Sequence, residues 1–343
     1  MALIAIAADK GAPGVTTTAM ALTAVWPRPI LLAECDPSGG DLVYRFPSAG
    51  GGHLDPRRGV LSLGIAARRG MPAQQAWEHV QKMQGGMDLL AGVTNAEQGA
   101  GLNALWGPIG RLLAGLPQAD VIADCGRVGV DGPVYDLLAE ASLILLVGRA
   151  GIADVIRLRD RVIALSAATE RRRRPARIGV LVLADPKQLN SSLGEVQHVL
   201  DQGGGSAKVL GGLPDDPRGA QLFRAGQVGK LNKTLLVRSA RGIAKQIVNG
   251  LPEQQAQGQQ AQGQQAPAQQ AQAQQAPAQP DQPALGQHPQ GQLPPGVLVA
   301  TRNGRHNKTG PQPAQAPPNL FPPQAPVQPV LRPVPAREQS GGG

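Results

Sequence analysis

The sequence predicts an α/β fold, a mainly parallel sheet with helices on both faces, followed by a disordered C-terminal tail. Three observations carry that expectation. Short segments that are apolar at nearly every position recur along residues 1–250, as in strands covered on both faces. Helix-length stretches stand between them, the order of repeated βαβ units. From Leu251 onward the composition changes to Gln, Ala, Pro and Gly; this part of the 343-residue chain holds 18 of its 32 prolines and only eight charged residues. A segment so poor in large apolar groups cannot offset its ordering entropy. The division is therefore one globular domain over 1–250 and a disordered tail over 251–343.

Taken in order, Ala2–Ala8 is the first buried strand. It has no basic n-region and runs directly into a glycine-bearing turn, so it is read as a strand and not as a secretory leader. Thr16–Val25 is the helix that the turn opens, and Pro29–Cys35 the next apolar run. Val60–Arg69 and Ala73–Met83 are read as helices before the strand Met87–Val93, and Leu102–Ala114 as the helix before Asp120–Cys125. Helix Pro133–Ala139 then precedes strand Ser142–Val147, helix Ala153–Ala168 precedes strand Arg177–Ala184, and helix Leu193–Asp201 precedes strand Lys208–Gly212. Leu235–Val248 closes the domain: apolar Leu236, Ala240, Ile243, Ala244 and Ile247 share a face, with Arg238, Arg241 and Lys245 between them. That pattern suits a helix packed on the sheet; Gly242 and the small residues weaken the alternative of a membrane-surface helix.

Several functional classes are excluded. No apolar run approaches the roughly 18–20 residues of a membrane helix. Two cysteines make no disulfide framework, which fits a reducing cytoplasm. The net charge of +9 divides as +7 over 1–250 and +2 over the tail, mildly basic but no nucleic-acid footprint by itself. Aromatic residues are 2% of the chain, too few for a base-stacking platform. His53, His79, His198, His288 and His306 show no metal-ligand spacing.

Ligands of open parallel sheets bind at the carboxyl ends of the strands. The first strand ends in Asp9-Lys10-Gly11-Ala12-Pro13-Gly14-Val15-Thr16-Thr17, which opens a helix. Free amides and the positive dipole end of that helix suit a phosphate, and Thr16 can offer a hydroxyl to magnesium. The ordinary phosphate-loop pattern G-x-x-x-x-G-K-[ST] fails twice: Asp9 stands at the first Gly, and Val15 at the Lys. A tight turn without a ligand is the competing reading. The second strand ends in Glu34-Cys35-Asp36-Pro37-Ser38-Gly39-Gly40, where Asp36 can orient a water or a metal's water shell, although the same residues are good turn formers. Asp120-Val121-Ile122-Ala123-Asp124 is an apolar strand ending in an acid.

Lys10 to Thr17 resembles the deviant Walker A motif K-G-G-x-G-K-[ST]-T of the MinD/ParA-like P-loop ATPases, matching at Lys10, Gly11, Gly14, Thr16 and Thr17 and departing at Ala12 and Val15. The segment from Glu34 resembles that family's D-x-D-P-x-G-G loop, with Glu34 for its first Asp; the strand ending at Asp124 resembles its Walker B strand; and Leu210-Gly211-Gly212-Leu213-Pro214-Asp215-Asp216-Pro217 resembles its late I-P-x-D-P loop. The strand before Asp185 resembles the one that normally ends in an adenine-reading Asn, so base choice stays open.

The resemblance covers about residues 1–248 and implies the following roles. ATP is held by Lys10, Gly11, Ala12, Pro13, Gly14, Val15, Thr16 and Thr17, with Pro214 and Asp216 at the purine. Mg2+ is held by Thr16, Asp36 and Asp124. Lys10 and Asp36 serve catalysis, Lys10 by reaching the phosphates of the partner subunit in a nucleotide-dependent homodimer. The implied work is spatial positioning, in chromosome or plasmid partitioning or in placing a membrane machine. The protein would then be cytoplasmic, peripheral at nucleoid or membrane, with non-specific DNA or a membrane-associated protein as further partner. Val15 argues for slow or absent ATP hydrolysis, since a charged hydrogen bond of the missing kind is worth roughly 1.5–3 kcal/mol. The alternative is a catalytically inactive scaffold or localisation factor of a secretion or pilus assembly. Three features have simpler readings. Arg171–Arg174 is a solvated helix end before it is a DNA grip, Cys35 and Cys125 are small buried residues, and the tail, with Gln-Gln-Ala-Pro-Ala-Gln at Gln264 and again at Gln274, is a flexible spacer whose partner nothing selects.

Overall fold

A computed structural model describes residues 1–10, 14–129, 132–171, 177–204, 206–224 and 234–251. Gly11, Ala12 and Pro13 of the first loop, Arg172–Arg174 of the arginine run and the tail beyond Leu251 lie outside the described residues.

Eight strands form one sheet in the order β3-β4-β2-β5-β1-β6-β7-β8. They are β1 (Leu3–Ala8), β2 (Ile30–Glu34), β3 (Gln81–Lys82), β4 (Asp88–Leu90), β5 (Asp120–Arg127), β6 (Leu143–Arg149), β7 (Ile178–Ala184) and β8 (Lys208–Pro214). All neighbours are parallel except β3, which runs antiparallel to β4 at the edge. The helices are α1 (Val15–Thr23), α2 (Leu42–Arg45), α3 (Val60–Ala67), α4 (Ala96–Gly101), α5 (Trp106–Ala114), α6 (Tyr135–Leu138), α7 (Ile152–Arg171), α8 (Leu189–Gln202), α9 (Pro217–Arg224) and α10 (Leu235–Gly250).

The apolar runs form strands because both faces of the sheet are covered. In β1, Leu3, Ala5 and Ala7 enter one apolar layer with Trp106, Leu138 and Leu158, while Ile4, Ile6 and Ala8 enter the other with Met20, Val237 and Ile243. The period of two thus feeds two cores from one strand. The closing helix α10 buries Leu236, Ala240, Ile243, Ala244 and Ile247, the face its sequence marked. Its start is capped by Thr234, whose hydroxyl accepts from the Val237 amide.

Two predicted helices are corrected. Ala73–Met83 is a 3-10 helix over Ala73–His79 followed by β3. The Gln81 side chain fixes this switch: it donates to the Asp55 and Arg58 carbonyls and accepts from the Asp55 amide, tying the segment to a distant loop. Leu102–Ala114 is helical only from Trp106, as α5: the separate helix α4, capped by Asn95, ends before it, and residues 102–105 turn between the two. The helices α2 and α9 are not among those the sequence reading assigns.

At the amino end of β5, Asp120 is fully buried and bridges three segments. Its carboxylate accepts from the Ala2 amide at 2.8 Å, from Trp26 Nε1 at 2.9 Å and from Arg28 Nε at 2.8 Å. Asp120→Ala strands the Ala2 and Trp26 donors, while Arg28, more exposed, turns to water. The expected loss is about 3 kcal/mol of stability, read as a shift of the urea-denaturation midpoint.

Candidate functional site

The strand order places β2, β5 and β1 side by side, so the loops that leave them share one edge of the sheet. Ile6 of β1 and Glu34 of β2 both stand level with Asp124 of β5. Gly14, at φ +75°, precedes the first turn of α1, a conformation that glycine adopts without strain. That turn brings the Thr16 hydroxyl beside Asp124, close enough to favour its ionised carboxylate. Asp124 is 3% exposed; its Oδ1 also accepts from the Gly126 amide at 3.1 Å. Burial pushes its carboxyl up to about 6 against the pull of Thr16 and Gly126, and the charges of Asp36 and Asp41 push the same way.

Asp36 lies against Gly126 so closely that a Cβ there would fall 1.8 Å from its Oδ2. Burial raises its pKa, opposed by the Ser38 amide at 2.8 Å and by the charge of Arg127. Thr16, Asp36 and Asp124 are therefore brought to one place. Raised carboxyl pKa values around a hydroxyl fit a hard cation, whose charge would offset the repulsion. Among the described residues no three His, Cys, Asp or Glu side chains are spaced to ligate a metal directly. The donor set suits magnesium, which keeps several waters and takes one or two protein oxygens.

Glu34 ties loops together. Its carboxylate is a staple: Oε1 accepts from the Asp41 and Leu42 amides, each at 3.1 Å, and Oε2 from the Gly92 amide at 3.0 Å. Burial drives this carboxyl up to about 7. The staple shapes the loop that carries Asp36.

The first loop is anchored by a contact that the sequence does not announce. Arg161 of α7 grips Asp9 with Nε and a terminal nitrogen, each 2.6 Å from Oδ1, and donates to the Gly129 carbonyl and the Tyr135 hydroxyl at 3.0 Å. No local acid–base pattern reveals a pair 152 positions apart. Val15, 2% exposed, belongs to the apolar layer under α1. Lys10 is exposed and lines a cavity of about 340 Å³ with Asp9, Val147, Arg149 and Arg157. Thr17 and Pro214 line a second cavity of about 130 Å³, on the β7–β8 side, with Gly14, Arg149 and Leu183. Asp216 also borders it, but its carboxylate accepts from the Gly219 amide at 2.9 Å and the Leu236 amide at 3.2 Å, so it shapes the wall and caps helices. Asp185 closes its own turn through the Lys187 amide at 2.8 Å.

No protein-family model matches the chain, and no curated protein matches it in sequence. Solved structures do match. A ParA family ATPase from Chlorobium tepidum is 17% identical, with a TM-score of 0.55 over 71% of this chain and 97% of that one. The septum site-determining protein MinD from Pyrococcus horikoshii, complexed with Mg-ADP, is 15% identical, with a TM-score of 0.55 over 73% of this chain and 97% of its own. An ATP complex of a variant McdA from Cyanothece is 15% identical, with a TM-score of 0.54 over 72% and 96%. The fold is that of the MinD/ParA-like P-loop ATPases.

Within the MinD/ParA-like fold, Cys35 and Cys125 are fully buried, and burial pushes both thiols up, which leaves them inert. Among the described residues no helix is long and apolar enough to cross a membrane. The staple is testable. Glu34→Gln replaces one acceptor oxygen by a donor that faces backbone amides. At pH 8, where the carboxylate is ionised, the variant is expected to lose about 2 kcal/mol in chemical denaturation.

Proposed function

We propose that the chain binds ATP with magnesium at the junction of β1, β5 and β2 and works as a nucleotide-controlled homodimer in spatial positioning. The observation that carries this reading is the meeting of the Thr16 hydroxyl with the nearly buried Asp124, with Asp36 against Gly126 beside them. The roles are those the resemblance assigns, and this arrangement supports them. Amides at the start of α1 and the loop from Lys10 to Thr17 hold phosphate. Thr16 gives its hydroxyl to magnesium, while Asp124 and Asp36 hold its water shell, Asp36 also orienting an attacking water. Bound magnesium supplies charge neutralisation at the phosphates. Pro214 meets the base in the cavity beside Thr17. Lys10 serves the phosphates of a second copy, so binding and association are coupled.

Positioning follows by likeness to a septum site-determining protein and a ParA family ATPase, with DNA or a membrane-associated protein as the surface on which it acts. The tail is a spacer toward a further partner. Hydrolysis is slow, because Val15 brings no charge to the phosphates. That same observation favours a second reading, a pseudo-ATPase that acts as a scaffold of a secretion or pilus assembly.

Calorimetric titration with Mg-ATP is expected to give saturable heat, weakened at least tenfold by Thr16→Ala or Asp124→Asn. No heat at millimolar ATP, with folded protein, removes the nucleotide reading. Light scattering should report a dimer with ATP and a monomer without it; a monomer in both removes the switch. Phosphate release stimulated by DNA or lipid selects the enzyme, and its absence the scaffold.

A further inference from the structure

The end of β5 carries a cation that the phosphate-loop motif lacks. Along β1 and β5 the pairing runs Leu3 with Val121, Ile4 with Ile122, Ala5 with Ala123 and Ile6 with Asp124, and then slips so that Ala8 pairs with Arg127. The slip is a bulge at Gly126, whose φ of +58° is left-handed backbone. Regular alternation from Asp124 would put Arg127 on the face of Cys125, in the layer with Leu3 and Ala5. The extra residue instead sets Arg127 level with Ala8, on the face that α1 and Thr16 cover. The Val128 amide locks this arrangement by donating to the Ala8 carbonyl at 2.9 Å.

Arg127 is exposed and makes no hydrogen bond or ion pair with a described residue. Its charge acts on Asp36, whose carboxylate lies against the neighbouring Gly126. The acidic end of the site is thus the β5–β2 side, opposite the Pro214 cavity on the β7–β8 side. A triphosphate laid from that cavity across the start of α1 would run toward the β5 side, where Arg127 ends the strand.

Resting on the nucleotide reading above, we infer that Arg127 is the phosphate-binding cation that stands in for the lysine missing at Val15, and that it recognises the terminal phosphate of a nucleoside triphosphate. A guanidinium offers forked donors suited to phosphate oxygens. It approaches from the strand after the acid, not from the helix, so the bulge and not the loop motif sets its position.

The test compares ATP and ADP affinities, each with magnesium, for the full chain and for Arg127→Gln and Arg127→Lys, with thermal midpoints confirming folding. Arg127→Gln is expected to weaken ATP roughly ten- to a hundredfold while leaving ADP nearly unchanged, and Arg127→Lys to recover part of the loss. An ATP-to-ADP preference in Arg127→Gln equal to that of the parent overturns the inference and leaves the nucleotide reading standing. Equal weakening of both nucleotides also overturns it, since a terminal-phosphate contact is selective. A parent chain that binds neither nucleotide overturns both.

Discussion

One buried carboxylate organises this edge of the sheet. Asp124 sits at the tip of β5, between β1 and β2, where water cannot solvate it. It must be satisfied from within, and each partner that satisfies it brings a piece of the site. Thr16 draws in the first turn of α1, and the Gly126 amide bends β5 into its bulge. The Asp124 carbonyl accepts from the Cys35 amide at 2.7 Å and so extends β2 into the loop that carries Asp36. Preorganisation of this kind lets a divalent ion and a polyanion be met without reorganising the protein. The cost is desolvation: burial makes the carboxyl groups of Glu34, Asp36 and Asp124 all harder to ionise than in water.

Much of this was legible in the sequence where the signal is local. Seven of the eight strands show as apolar runs, because covering both faces erases alternation. Asp36 and Asp124 stand at strand ends, where open parallel sheets place chemistry, and the glycine before α1 announces its turn. What escaped depends on partners remote in sequence. Asp9 reads as a damaged motif position until Arg161 is seen gripping it, and Glu34 reads only as a substitute for the first Asp of its loop until three amides are found on it. The bulge at Gly126 is invisible because Cys-Gly-Arg carries no period; only pairing with β1 shows the slip. A side-chain tie likewise overrode helical pattern at Gln81.

The loop between β1 and α1 is thus a different object from the motif it resembles. The usual first glycine is replaced by an anchored aspartate, and the usual lysine by a residue of the core. Both changes move positions of the loop from ligand contact to scaffold. The strands that flank β1 each end in an arginine, Arg127 on β5 and Arg149 on β6.

The strand order has a consequence for how the chain comes to be folded. β1 and β2 are consecutive in sequence, yet they are never neighbours; β5 must slide between them, and Asp120 seals the insertion by reaching back to Ala2, Trp26 and Arg28. On the ribosome, roughly the first third of the polypeptide is therefore made before its middle slot can be filled, leaving two sticky strand edges open meanwhile. Closure over such sequence distance is slow. A nascent chain stalled before this insertion would be a natural client for chaperones, whatever the finished molecule does.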